Sequence, residues 1–213
     1  MSDASRSVRA ADRWKLVVLR NAPVVLFALV VLIFALLSDR FFAVQNFVNI
    51  LIQASHVAIL GIGITFVLLT AGIDLSVGAV MYLSVAILGT YFTGLFWPVG
   101  LLICIVIGLA FGATNAFFIV KIRVAAFITT LATLFIGRGI ALYITDTKMV
   151  FFEPGILDLG RASYLGIPWS LWVFAIVFVL AWTALTQTPF GRRIYAIGEN
   201  PEAAQKAGIN VST

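Results

Sequence analysis

The sequence is short of charge. Of its 213 residues, 11% are Asp, Glu, Lys or Arg, under half of the roughly 25% usual in soluble domains. It has one cysteine, Cys104, and one histidine, His56. A lone cysteine excludes an intrachain disulfide and a Cys-based zinc site, and a lone histidine excludes a multi-histidine metal centre. Fourteen basic against nine acidic residues leave a formal charge of +5. That surplus does not mark a nucleic-acid binder, because no Lys/Arg stripe interleaves with stacking aromatics. No short repeat is present, which excludes a collagen-like or low-complexity chain. What the sequence does have is apolar mass: 62% hydrophobic residues, 18 Phe, five Trp and a mean hydropathy of +1.10. A disordered chain is excluded. The composition is that of an all-α integral membrane protein.

A helix needs roughly 20 apolar residues to cross about 30 Å of hydrocarbon. Windows of that size predict six spans, over 22–38, 47–69, 79–96, 99–120, 127–144 and 169–186. The first reads as a retained span, since it is too long for a signal-peptide core and no small-residue cleavage site follows before Phe41. Positive charge sets the orientation. With a cytoplasmic N-terminus, ten Lys/Arg fall inside: Arg6, Arg9, Arg13, Lys15, Arg20, Lys121, Arg123, Arg192, Arg193 and Lys206. Arg40, Lys148 and Arg161 fall outside, and Arg138 lies within a span. Both ends are therefore expected in the cytoplasm. The organisation is a basic tail over 1–21, a helical membrane domain over 22–186 and a cytoplasmic segment over 187–213. The one long connection, 145–168, lies on the outer side and predicts a short helix or hairpin; loops of this length are usually functional.

Several segments carry polar chemistry. Gly72-Ile-Asp-Leu-Ser-Val-Gly78 interrupts the join between the second and third spans. Two readings stand for Asp74: it caps the third span with the help of Ser76, or it has a direct place in a translocation path, as ionisable groups at membrane depth commonly do. Gly72 and Gly78 bracket it, and a close backbone approach is expected at Gly78. Arg138, between Gly137 and Gly139, either snorkels to the outer interface or faces a cavity. Thr130, Thr133 and Gly137 share one face of the fifth span, which suits close packing. Gln53 and His56 share a face of the second span and are expected to pair with a neighbouring helix by hydrogen bonds. Gly108 and Gly112, followed by Asn115, predict close helix approach and an interior fourth span.

The last segment is the most informative. Asn200 fits an N-cap, Pro201 a first helical position and Gly208 a left-handed stop. Between them a helix is expected over 201–207, with Glu202 and Lys206 placed for an i,i+4 pair. Two turns are too few to be stable alone in water. The helix either docks, through its small Ala203 and Ala204, into another protein's groove, or packs on its own bundle.

Glu202-Ala203-Ala204, then three residues and Gly208, resembles the EAA motif of ABC-transporter permeases, the helix that docks on the ATP-hydrolysing subunit. Gly72–Gly78, Phe127-Ile-Thr-Thr-Leu-Ala-Thr, Arg138-Gly139 and Phe190-Gly-Arg-Arg-Ile-Tyr-Ala-Ile-Gly198 are similar to segments of bacterial sugar-importer permeases of the ribose, xylose and arabinose type. The resemblance runs from about residue 20 to the end, and the chain looks like the N-terminal part of such a permease. It implies a coupling site of Glu202, Ala203, Ala204 and Gly208 flanked by Arg192 and Arg193. It implies a pathway and gate at Gly72, Asp74, Ser76, Gly78, Asn115 and Arg138. The implied partners are a cytoplasmic ATPase, a periplasmic sugar-binding protein, a second permease subunit and the lipid bilayer, with no nucleic acid. ATP and magnesium would sit on the ATPase, and this chain, which lacks a G-x-x-x-x-G-K-[ST] loop, would bind no cofactor and no metal and be no enzyme.

Rival classes are weaker. An aspartyl intramembrane enzyme needs two carboxylates in one site, and only Asp74 lies near a span core. A serine type would need His56 to meet Ser76 or Ser84. A proton- or sodium-coupled transporter or channel usually carries several intramembrane acids. A non-transporting structural subunit is the remaining alternative.

Overall fold

The structure, a computed structural model, describes residues 19–152, 157, 158, 160 and 162–211. Most of the basic tail, including Arg6, Arg9, Arg13 and Lys15, lies outside the described residues, as do Pro154, Gly155 and Arg161 of the outer loop. The described residues are almost entirely helical. The helices are α1 (Ala22–Leu37), α2 (Val44–Leu69), α3 (Val77–Tyr91), α4 (Trp97–Ala116), α5 (Ala126–Thr145), α6 (Trp169–Gln187), α7 (Pro189–Glu199) and α8 (Pro201–Lys206). A single π-turn, Phe117–Lys121, extends α4.

All six expected spans are helices. Four of them (α2, α4 with its π-turn, α5 and α6) are long and apolar enough to cross a membrane, while α1 and α3 are apolar but shorter. Helix α3 has 15 residues, about 22 Å at ~1.5 Å per residue, so non-helical chain completes its crossing.

By internal packing the chain forms two units, residues 1–51 and 52–213. In the first, Pro23 opens α1 and Ser38 ends it in extended backbone. The helix is apolar on every side and buries no residue, as a lipid-facing span does. Phe34 stacks on Phe41 at 6.4 Å, and Asn46 Nδ2 donates to the Phe41 carbonyl at 2.8 Å, fixing the turn into α2.

In the second unit the main seam is α3 against α5, with α4 alongside. Leu83 and Ala86 of α3 and Ala141 of α5 form its buried centre, flanked by Ile87, Ile107, Phe111 and Ile144. Small residues make the seam possible. Lipid is as apolar as leucine, so membrane helices gain most where their backbones approach. Gly137 illustrates this: a Cβ there would meet Phe111 at 3.1 Å and Ala79 at 3.4 Å. Thr129, Thr130, Thr133, Gly137, Ala141 and Thr145 all lie buried along α5. The expected Thr130–Thr133–Gly137 packing face is therefore present.

Two expectations fail. A Cβ added at Gly108 or Gly112 would meet nothing within 4 Å, and α4 with its π-turn is mostly exposed in this chain. The glycine pair opens a cavity instead of seating a neighbouring helix, because the adjoining contact is made through Phe111. Gln53 and His56 are exposed and form no hydrogen bond with another described residue. They lie on the outward face of α2, whereas its buried residue is Ser55.

The helix ends follow known stop chemistry. α2, α5 and α8 each close in a Schellman pattern, with a left-handed residue at Ala71, Asp146 and Gly208 respectively. The outer loop returns through a two-residue hairpin, with Ser163 opposite Pro168 and Tyr164 opposite Ile167. Leu165 and Gly166 at its tip both have positive φ, as a type I′ turn requires. This is the hairpin expected within 145–168. α6 buries none of its residues within the described chain.

The seam predicts a contrast between neighbouring glycines. Gly137→Leu should lower stability by about 1–3 kcal/mol through overpacking against Phe111. Gly139→Leu, where a Cβ meets nothing within 4 Å, should change it by less than about 0.5 kcal/mol. Thermal unfolding of the purified protein in detergent distinguishes the two.

Candidate membrane-embedded polar site

The chain leaves α2 through Thr70 and Ala71. Ala71 takes the left-handed conformation with φ +55°. Its N–H bonds the Leu68 carbonyl and the Gly72 N–H bonds the Val67 carbonyl. An alanine at this position costs roughly 1 kcal/mol relative to glycine. Glycine is needed one residue later, since a Cβ at Gly72 would press on Val67 Cγ1 at 3.1 Å and on its carbonyl oxygen at 3.2 Å. The close approach expected at Gly78 thus occurs at Gly72. Gly78 is open, with nothing within 4 Å of a Cβ.

From Gly72 to Leu75 the backbone is non-helical, and its Ile73 carbonyl lies beside Thr130 of α5. Thr130 Oγ1 lies 3.2 Å from the Ile73 carbonyl and 2.9 Å from the Ala126 carbonyl. Thr130 and Thr133 stand about 6 and 10 Å along α5 from its first residue. α5 is long and apolar enough to cross a membrane, and non-helical backbone beside such a helix survives only if protein or a wet cavity satisfies it.

Side chains perform that task. Asp74 Oδ1 accepts from the Ser76 N–H at 2.7 Å and from the Ser76 hydroxyl at 2.6 Å, an Asx turn that opens α3. Ser76 Oγ accepts from Asn115 Nδ2 at 3.0 Å. Asn115 Oδ1 accepts from Thr133 Oγ1 at 2.9 Å. One chain of hydrogen bonds so joins the non-helical segment, α4 and α5. Ser76, Asn115, Thr130 and Thr133 are all buried. Asp74 is the capping group for α3 that its sequence suggested. Ser76 occupies the N-cap position, but its hydroxyl turns toward Asp74 and Asn115 and makes no cap bond to the helix.

The same residues border open space. A cavity of about 370 Å³ is lined by Asp74 and Ser76 together with Leu60, Cys104, Gly108 and Gly112, among others. Asp74 Oδ1 is committed to Ser76; among the described residues Oδ2 has no donor. A second cavity of about 420 Å³ lies between α3 and α5, bounded by Gly78, Ala79, Tyr82, Leu134, Arg138 and Leu142. Arg138 faces that cavity and forms no ion pair with a described residue. The expected site residues accordingly fall into two groups. Asp74, Ser76 and Asn115 come together through hydrogen bonds, Gly72 packs instead on Val67, and Gly78 and Arg138 line the second cavity.

The residues after α6 form a separate region. Thr188 caps α7, its hydroxyl accepting from the Gly191 N–H at 3.4 Å. Asn200 caps α8, its Oδ1 accepting from the Ala203 N–H at 3.0 Å. Gly208 stops α8 with φ +82°. Glu202 and Ala203 are exposed, while Ala204 is buried against its own chain, so only one of the two alanines is open to a partner. Glu202 and Lys206 do not close the expected ion pair. Arg192 and Arg193 are exposed on α7. The sequence reading missed α7 as a helix, although Thr188-Pro189 carries the same start signature as Asn200-Pro201. It also missed Tyr82 and the bond from Thr133 to Asn115, for which no sequence spacing gives a signal.

Residues 46–213 match the family described as the permease component of the branched-chain amino acid transport system, and the chain belongs to that family. It is a multi-pass inner-membrane protein. Among individual proteins it is 42% identical over 194 residues to the ribose import permease protein RbsC of Haemophilus influenzae, covering 87% of this chain and 60% of that protein. RbsC of Escherichia coli K12 is 40% identical over 200 residues, with 88% and 61% covered. The D-allose transport system permease protein AlsC of the same strain is 35% identical over 188 residues, with 86% and 58% covered. The chain thus spans about 60% of the length of these relatives. No solved structure matches it.

The hydrogen-bond chain predicts an order of costs. Ser76→Ala leaves both an Asp74 oxygen and Asn115 Nδ2 short of a partner, whereas Thr133→Val strands only Asn115 Oδ1. Each lost bond is worth about 1 kcal/mol, so Ser76→Ala should destabilise by roughly twice as much. Reversible unfolding in mixed micelles measures both; equal costs would show that Asn115 bonds elsewhere.

Proposed function

We propose that this chain is a membrane-spanning permease subunit of an ATP-driven importer that carries a monosaccharide, a pentose or a close relative, across the inner membrane. The observation that carries the reading is α8. It is capped by Asn200, stopped by Gly208 and presents Glu202 and Ala203 outward. A two-turn helix with such definite ends and an acidic first turn suits a groove in another protein.

In this reading a separate ATPase subunit holds ATP and magnesium and receives α8, with Arg192 and Arg193 beside it. ATPase closure displaces α8 and, through it, the membrane helices. Two permease subunits frame the pathway. A periplasmic sugar-binding protein docks over the outer face, which includes the 145–168 connection. A monosaccharide is neutral, so its path calls for hydroxyl-pairing groups and weak binding. The cavities flanking α3 offer Asp74 and Ser76 on one side and Tyr82 and Arg138 on the other. The relatives named for ribose and D-allose both handle aldoses, which supports the substrate class.

Co-purification tests the reading. The chain, tagged at its N-terminus and solubilised from its own membranes, should carry an ATPase subunit with it. Glu202→Lys reverses the charge at the start of α8 and should cut the recovered ATPase by about tenfold or more while leaving the amount inserted in the membrane unchanged. An ATPase retained equally by the mutant would remove Glu202 from the interface, and one absent from both samples would sink the proposal.

A further inference from the structure

One face of α7 carries Phe190, Ile194 and Gly198, four residues apart. Gly191, one turn earlier than Ile194 and Tyr195, seats the helix start against the Leu185 carbonyl at the end of α6. Gly198 does the same at the other end: a Cβ there would overlap the Leu69 carbonyl oxygen and approach Thr70 Cα to 3.6 Å. Phe190 meets Phe66 of α2 at 6.3 Å between ring centroids. Phe66 and Leu69 are one helical turn apart, and α7 touches that last turn of α2 at two points, Phe190 on Phe66 and Gly198 on the Leu69 carbonyl. Leu69 is also the last residue before the turn through Ala71 that leads into the non-helical segment and its Asp74–Ser76–Asn115 network. At its other end α7 joins α8 through the single residue Asn200, whose N–H bonds the Ala196 carbonyl.

We infer that Gly198 is a positioning residue: by lacking a side chain it lets α7 bear directly on the Leu69 carbonyl, so that a displacement of α8 reaches the non-helical segment and its polar network. The inference rests on the importer reading and names the contact through which that reading would work. The chain of contacts is continuous. α8 is fixed to α7 at Asn200, α7 to α2 at Gly198 and Phe190, and the end of α2 to the non-helical segment by the Gly72 N–H bond to Val67. Peptide backbone against peptide backbone is stiff, since no rotamer can absorb the motion. A side chain at position 198 would force α7 away from α2, and the displacement would be taken up in the gap.

The test uses the permease assembled with its ATPase and binding protein in proteoliposomes, comparing wild type, Gly198→Ala and Phe190→Ala. The second variant loosens the same contact by removing a ring, so it does not depend on tolerating an added methyl group. Three quantities are read: ATPase recovered with the permease, stimulation of ATP hydrolysis by sugar-loaded binding protein, and sugar uptake. Both variants should retain the ATPase within about twofold of wild type, yet lose uptake and stimulation by about tenfold. A merely structural role would lower assembly and uptake together and would overturn the inference. Wild-type stimulation and uptake in both variants would also overturn it while leaving the importer reading intact. Failure of the wild-type assembly to couple hydrolysis to sugar would remove the importer reading and this inference with it.

Discussion

An unpaired peptide group in hydrocarbon costs several kcal/mol, and the second unit is arranged around one place where the chain risks that cost. Between Gly72 and Leu75 the backbone is non-helical and lies beside the membrane-length helix α5. Its partners come from three directions: Val67 behind it, Thr130 beside it, and Asp74 within it. The remaining features follow from this arrangement. Asn115 sits near the end of α4 because Ser76 and Thr133 both need a partner between them. The face of α5 is threonine-rich because a threonine hydroxyl can direct its one proton to its own helix or to a neighbour, as Thr130 does between the Ala126 and Ile73 carbonyls.

The α3–α5 seam obeys a different rule. Apolar area gives no net drive between helices already in lipid, so backbone proximity and hydrogen bonds decide which helices meet. Gly137 and Ala141 permit that proximity, and Ala79, Leu83 and Ala86 answer it from α3. Gly108 and Gly112 have the same spacing signature and the opposite outcome. Their flank of α4 borders the cavity containing Asp74, and Phe111, between them in sequence, reaches over to Gly137. A small-residue pair therefore marks either a close helix contact or an open space, and only the neighbouring large side chain tells which.

Much of this was legible in the sequence. Apolar windows located six helices, four of them long and apolar enough to cross a membrane, because a run of about 20 apolar residues is too long for an ordinary core helix and matches the thickness of a bilayer. Asn200, Pro201 and Gly208 located α8 because capping is local chemistry. Asp74 and Ser76 stood out because a carboxylate is rare at that depth. The failures are all non-local. Nothing in the spacing of Gln53 and His56 reveals which face of α2 turns outward. The partner of Asn115 lies 18 residues away on another helix. The left-handed residue before the non-helical segment is Ala71, not the adjacent glycine, because Gly72 is held by its contact with Val67 and is already committed.

Asp74 and Arg138 are the two side chains with formal charge that border the membrane cavities, and they lie on opposite sides of α3. If they met, their pairing would offset desolvation and lock α3 against its neighbours, a static device. Apart, each keeps unused hydrogen-bonding capacity facing open space: one carboxylate oxygen of Asp74 and the guanidinium of Arg138. Such groups interact with a polyol by single hydrogen bonds, which are strong enough to replace water and weak enough to release. The same separation leaves α3 anchored at its deep end by Ser76 and packed by small residues along the seam. A helix held in that way can shift against α5 without parting a buried ion pair. The geometry thus leaves Asp74 and Arg138 each facing open space, on opposite sides of α3.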